Sequence, residues 1–355
     1  MSDPTTDDFA ALLGSVRRHV DQHLATWLAP RVTSASHVSA EVGAAAEAVQ
    51  GLALRGGKRM RAALVAAGFE ACSPSRTDLP VLLANVDRAM TAIELLQVYL
   101  LIHDDWMDDD DVRRGGPAVH VLLRERLGTK HLGDTAAILA GDLACGYAQE
   151  ALLETELGEH SAQRVLAAAR AFARIQVEVV TGQLAEMSAV PSVEVIHALK
   201  TASYTVTGPL AIGAHLAGAS DARVAELARY GRPLGIAFQL RDDLLGTFGD
   251  PSATGKPVGN DIRQGKRTAM GVEMRGDAAC EALLARVLGR ADASEKDVAE
   301  VVRAMETSGA KSRVEARVAE LLAETRAALE AMVLPDGPGK TWLAGAVRAL
   351  GERSS

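Results

Sequence analysis

From Val81 to Asp108 the chain runs without a glycine or a proline. That stretch constrains the fold more than any other, because Ile93, Leu96, Leu100 and Met107 fall near one stripe at helical spacing and predict a single long helix. It ends abruptly. The segment LLIHDDWMDDDDVRRGG, Leu100 to Gly116, sets six aspartates within eight positions and then a pair of arginines. RRGGP, Arg113 to Pro117, must break the helix. Carboxylates that dense repel one another, so something positive should hold them.

The rest of the chain repeats the helical pattern. Amphipathic segments are expected at Ala10–Leu28, Val38–Leu54, His131–Glu154, Ser161–Val190, Val193–Ala219, Ala222–Thr247 and Ala310–Met332. Aromatics make up only 3% of a chain that is 48% hydrophobic, which favours helices over a β-sandwich. No period-two strand, linker or repeat stands out. Phe248–Arg267, dense in glycine, proline and charge, reads as a long functional loop. The expectation is one all-α domain over residues 1–355, with 1–8 outside the folded part, its long, mostly antiparallel helices surrounding a deep central cavity.

A net charge of −8 argues against a nucleic-acid partner, which needs a basic surface. The best apolar run, Leu95 to Ile102, is too short to cross a bilayer. Three widely spaced cysteines without CxxC spacing, and an acidic start unlike a leader peptide, suggest reduced thiols in the cytoplasm.

Asp104 and Asp108 lie one helical turn apart, about 40° from facing the same way and about 6 Å along the axis. Carboxylates so placed can share Mg²⁺, a hard cation that favours oxygen. Asp109, Asp110 and Asp111 read instead as a solvated acidic end. A second pair, Asp242 and Asp243 in FQLRDDLLG, closes another apolar helix and again leads into a basic, glycine-rich loop. Two such helix ends suggest facing banks of carboxylate at a cavity mouth. The complement is basic: Lys58 and Arg61 in GGKRMR, Arg113 and Arg114, Lys200, Lys256 and Lys266. Cations receive phosphate oxygens while carboxylates hold bridging metals. Neither GGKRMR nor ATGKPVG has P-loop spacing, so nucleotide hydrolysis is a poor reading.

GGKRMR, HDDWMDDDDVRRG with its DDxxD, Gly182–Gln183, Lys200–Thr201, FQLRDD and GDPSATGKPVGNDIRQGKRT, taken in order over roughly residues 50 to 270, resemble the trans-prenyltransferases, or polyprenyl diphosphate synthases. The resemblance implies a homodimeric all-α enzyme that condenses an allylic diphosphate with isopentenyl diphosphate, using three Mg²⁺ per site. Carried across, Asp104, Asp108 and Asp242 are direct metal ligands, supported by Asp105 and Asp243. Arg113, Lys200 and Lys256 hold the allylic diphosphate. Gly57, Lys58, Arg61, Gln97 and Arg114 hold isopentenyl diphosphate. Thr201 and Gln239 flank the developing carbocation, and Lys266 helps close the late loop.

There are departures. Gly246 stands where the second motif usually ends in aspartate, which implies weaker metal binding. Gln97 replaces a frequent histidine, and an amide can still donate to phosphate. Trp106 is bulky within the first motif and either packs or shapes the mouth. Tyr99, about 7.5 Å along the helix from Asp104, would set the cavity floor with Leu96 and Leu100, which resembles synthases of a twenty-carbon product. Tyr99 as plain core, a farnesyl product, a class I terpene cyclase and a non-catalytic regulatory subunit stay open. An EF-hand does not, since the acidic stretch lacks the mid-loop glycine and final glutamate.

Overall fold

In the computed structural model, residues 4–158, 160–188, 192–249, 259–335 and 337–352 are described. The long helix is α4, Leu79–Met107, entered through Pro80 and capped at its end by Asp108. Ile93, Glu94, Leu95 and Leu96 are all buried, so α4 is covered on every side and runs through the centre of the fold. Met107, expected on the apolar stripe, is half exposed because the helix has left the core by then.

Three helices precede it: α1 (Pro4–Val38), α2 (Ala40–Leu54) and α3 (Met60–Cys72). Helix α1 begins inside the stretch 1–8 expected to lie outside the folded part. After α4, Asp109, Arg114 and Gly115 all take positive φ and reverse the chain. The reversal forms a two-residue antiparallel hairpin, Val112–Arg113 with Gly116–Pro117, where no strand was expected. Arg55, at the end of α2, donates to the carbonyls of Arg113 and Pro117 at 3.1 and 2.7 Å and staples the hairpin down. Next come α5 (Val119–Leu127), α6 (Lys130–Leu153) and α7 (Ser161–Glu186).

The segment expected as one helix from Val193 to Ala219 is three pieces: α8 (Val193–His197), a π-helical stretch (Ala198–Thr207) and α9 (Gly208–Leu216). Ser203 and Thr207 hydroxyls donate back to carbonyls of the preceding turn, to Leu199 and to Ala202 and Ser203 respectively, and support the wider winding. Helix α9 crosses α3 at very close range. A Cβ on Gly213 would lie 2.0 Å from the Val65 carbonyl, and one on Gly68 2.4 Å from that of Leu210. Only glycine fits there.

Helix α10, Asp221–Phe248, packs on the π stretch and on a later helix, Ala310–Ala331. The expected long loop is in part helical, since Phe248 belongs to α10 and Asn260–Arg263 forms one turn, α11. Short helices follow, α12 (Ala269–Glu273), α13 (Ala278–Val287) and α14 (Glu295–Thr307), then α15 (Ala310–Ala331) and α16 (Gly339–Gly351). Helices thus dominate, as composition suggested; the π stretch and the 259–268 segment both contact α10, and each sends a lysine, Lys200 and Lys266, to the end of α4.

Candidate active site

Asp104, Asp105 and Asp108 leave the end of α4, and Arg113 folds back over them from the hairpin. Its guanidinium makes a short, buried contact with Asp105 and lies 3.9 Å from Asp104 and 3.5 Å from Asp110. Burial raises the pKa of Asp105 and of Asp104; Asp108 adds to the rise at Asp104, against the pull of Lys200, Lys266 and Arg113. These cations are the positive partners that the aspartate run demanded.

Lys200 stands in the π stretch with its ammonium on Glu186 of α7 and 3.9 Å from Asp104. Lys266 donates to Asp108 at 2.8 Å. Burial opposes its charge, but Asp108, Asp261 and Asp104 outweigh that and hold its pKa above the usual range. Gln264 donates to Asp110. Asp110 therefore belongs to the site and is not part of a solvated end, whereas the Asp109 and Asp111 side chains are largely exposed.

The second bank is wired differently. Thr201 donates to the Gln239 carbonyl oxygen at 2.8 Å, and the Gln239 amide donates to Asp243 Oδ1 at 2.9 Å. Asp243 Oδ2 is buried without a hydrogen bond, 3.5 Å from Nε2 of His197. Burial, with Asp261, Asp242 and Glu186 nearby, pushes the Asp243 carboxyl up to about 7, and burial lowers His197 to about 4. Asp243 thus feels Glu186, which touches Lys200, which faces Asp104. Lys266 in turn feels Asp261, as Asp243 does, so Glu186 and Asp261 stand between the two carboxylate banks.

A Cβ built on Gly246 would lie 3.3 Å from Asp261 Oδ2, so a carboxylate from the next segment approaches the position where the second motif lacks one. Among the described residues no three carboxylate, imidazole or thiol groups stand ready around one point. Mg²⁺ takes oxygen ligands and keeps several waters, so carboxylates alone suit it. The bare Oδ2 atoms of Asp105 and Asp243 fit it too.

A basic group lies farther up α4. The site of a Cβ on Gly57 is 3.5 Å from Arg114 Nη2, Arg61 donates to Thr205 at 2.9 Å and stacks on Tyr204, and Gln97 is half-buried on α4. Lys58 is exposed beside them. Leu96 is fully buried; Tyr99 and Leu100 pack partly buried on the core, the Tyr99 ring edge-on to His103 at 4.9 Å. Trp106 is partly exposed. Lys256 lies outside the described residues. A cavity of about 610 Å³ opens beside Glu186 and Lys266, over Met187, Val272 and Leu284.

Sequence reasoning missed Glu186, His197, Asp261 and Gln264. Asp261 and Gln264 sit inside the quoted GDPSATGKPVGNDIRQGKRT, and a helical wheel puts Glu186 on the face of Gly182. His197 carried no such signal.

The polyprenyl synthetase family model matches residues 43–305. A short chain isoprenyl diphosphate synthase of Methanothermobacter thermautotrophicus is 35% identical over 263 residues, 72% of this chain and 74% of that one. A geranylgeranyl diphosphate synthase of Mycobacterium tuberculosis is 34% identical over 292 residues, 79% and 75%. The crystal structure of geranylgeranyl pyrophosphate synthase from Corynebacterium glutamicum, complexed with isoprenyl diphosphate and magnesium, superposes with a TM-score of 0.85 at 33% identity, over 96% of this chain and 99% of that one.

Proposed function

The chain belongs to the polyprenyl synthetase family, so its activity is prenyl transfer, and we propose that it joins an allylic diphosphate to isopentenyl diphosphate with geranylgeranyl diphosphate as the main product. The observation that carries this reading is the pair of charge chains, Asp104–Lys200–Glu186 and Asp108–Lys266–Asp261, that lead from the first carboxylate bank toward Asp243, together with a separate basic group at Gly57, Arg61 and Arg114. One diphosphate needs the first arrangement. A second diphosphate needs the other, and a cyclase has no use for it.

Asp104, Asp108 and Asp242, backed by Asp105 and Asp243, would hold three Mg²⁺ at each site. Bound there, the ions supply the positive charge that lets diphosphate leave. Arg113, Lys200 and Lys256 receive the charge that gathers on the departing oxygens. As the allylic carbon–oxygen bond breaks, the Thr201 hydroxyl and the Gln239 amide flank the cation left behind. Gly57, Lys58, Arg61, Gln97 and Arg114 hold isopentenyl diphosphate with its alkene toward that cation, which removes much of the entropic barrier. The alkene pair forms the new carbon–carbon bond, and the released diphosphate takes the proton lost in forming the new double bond. Leu96, Tyr99 and Leu100 end elongation.

The protein acts as a homodimer, and it works in the cytoplasm, where Cys72, Cys145 and Cys280 stay as free thiols. No helix among the described residues is long and apolar enough to cross a membrane. The test is incubation of the purified chain with Mg²⁺ and dimethylallyl, geranyl or farnesyl diphosphate, each with and without isopentenyl diphosphate. A twenty-carbon diphosphate that requires isopentenyl diphosphate is expected. Hydrocarbon from the allylic substrate alone, or no product at all, rejects the reading.

A further inference from the structure

Arg59 starts α3 in left-handed backbone, φ 52° and ψ 31°. A non-glycine residue keeps that conformation only where its surroundings fix it. Its side chain, 1% exposed, reaches three elements at once. Nη1 donates to Glu94 on α4, Nε to Asp21 on α1, and Nη2 to the Ala53 carbonyl on α2, each at 2.8 Å. Glu94 is itself only 2% exposed, and its second oxygen, Oε1, has no hydrogen-bond donor. Arg114 Nη1 is likewise buried and unbonded.

Arg59 and Glu94 adjoin the basic patch without being part of it. Lys58 precedes Arg59 and Arg61 follows it, while Gln97 lies one turn beyond Glu94 on α4. Burial, then Arg59, Arg61 and Arg113, push Arg114 below its usual range, and Glu94 is the counterweight. Cations gathered this tightly would separate without an anion between them. A buried ion pair is poor evidence of stability, since an apolar pair of like volume often serves as well. Its retention here therefore calls for another role.

We infer that the Arg59–Glu94 pair positions the isopentenyl diphosphate subsite. Arg59 pins the Gly56–Arg61 turn to α1, α2 and α4, and Glu94 supplies the negative charge that keeps Arg61 and Arg114 together until a diphosphate takes its place as their partner. Neither residue touches substrate; both act through the residues that do. The inference rests on the reading of that subsite given above.

The experiment compares wild type, Glu94→Asp and the apolar double variant Arg59→Met/Glu94→Leu, with thermal melting as the check of folding and each substrate varied in turn. In the double variant the KM for isopentenyl diphosphate should rise about tenfold or more, while the KM for the allylic diphosphate moves by less than about twofold. Glu94→Asp, which keeps the charge but withdraws it by one methylene, should fall between; should the double variant not fold, it carries the test alone. An unchanged KM for isopentenyl diphosphate in a folded variant, or both KM values shifting alike, overturns the inference. A wild type that makes no product dependent on isopentenyl diphosphate overturns the functional reading itself, which separates the two failures.

Discussion

Asp243 keeps a carboxyl away from water at a depth where its charge is hard to carry. Burial is the main cause, and its pKa of about 7 lies above the ordinary value of 3.8. The folded protein therefore holds this proton longer than the unfolded chain does. The stability that results is complete below about pH 4 and is lost as pH rises through about 7. His197, lowered to about 4, works in the opposite direction over much of that window, so the Asp243 contribution is read as a difference. In metal-free protein Asp243→Asn, which cannot ionise, should gain in melting temperature relative to wild type as pH rises from about 4 to about 8. Circular dichroism melts over pH check this, and an unchanged slope in the variant rejects it. The same residue shows what was legible. Aspartates next to apolar helix could be read from residue type, and so could the cations that face them. Glu186 and Asp110 could not, because each looks like an ordinary helix-end charge until Lys200, Arg113 or Gln264 is brought across from another element.

Between α7 and the π stretch, backbones approach so closely that Gly182 has no room for a side chain. A Cβ there would lie 2.5 Å from the Lys200 backbone nitrogen, and one on Gly235 of α10 would lie 2.4 Å from Ala202. Glycine-to-alanine changes inside helices usually stabilise by about 1 kcal/mol. Gly182→Ala should instead destabilise by about 1–3 kcal/mol through overpacking. It should also cut turnover by about 100-fold, because a displacement of about 1 Å at Lys200 misplaces the ammonium proposed above to bind phosphate. Denaturant unfolding and single-turnover rates test the two effects separately, and a stabilised, fully active variant rejects both. The long helices were legible because α4, α6, α7 and α10 repeat their apolar residues over many turns. The π winding was not. It adds a single residue per turn to an otherwise helical pattern, and the signal is the neighbour's glycine, not the segment's own sequence.

Helix α6 keeps small residues toward the core, and both α6 and α7 leave large apolar ones toward the outside. Toward the core α6 buries Gly133, Ala137, Ala140, Gly141, Ala144 and Ala148, which let α4 lie close. Its large residues Leu132, Leu139 and Leu153 face outward, each more than half exposed. On α7, Leu166, Val177, Val180 and Leu184 are also exposed, the last three at i, i+3 and i+7 spacing on one stripe. Amphipathic periodicity made both helices readable, but it could not tell which apolar face the core takes and which is left over. The homodimer proposed above supplies a cover for these residues, with the α6–α7 faces of two copies meeting across a twofold axis. Charges placed there would have to be buried without partners, at a cost of several kcal/mol each. Leu139→Glu combined with Val177→Glu should therefore halve the mass measured by light scattering, to that of one 37.3 kDa chain. Far-ultraviolet circular dichroism should stay helical, because neither residue contributes to the core of its own chain. A wild type already at the mass of one chain, or a double variant still at twice that mass, would place the dimer elsewhere or dispense with it.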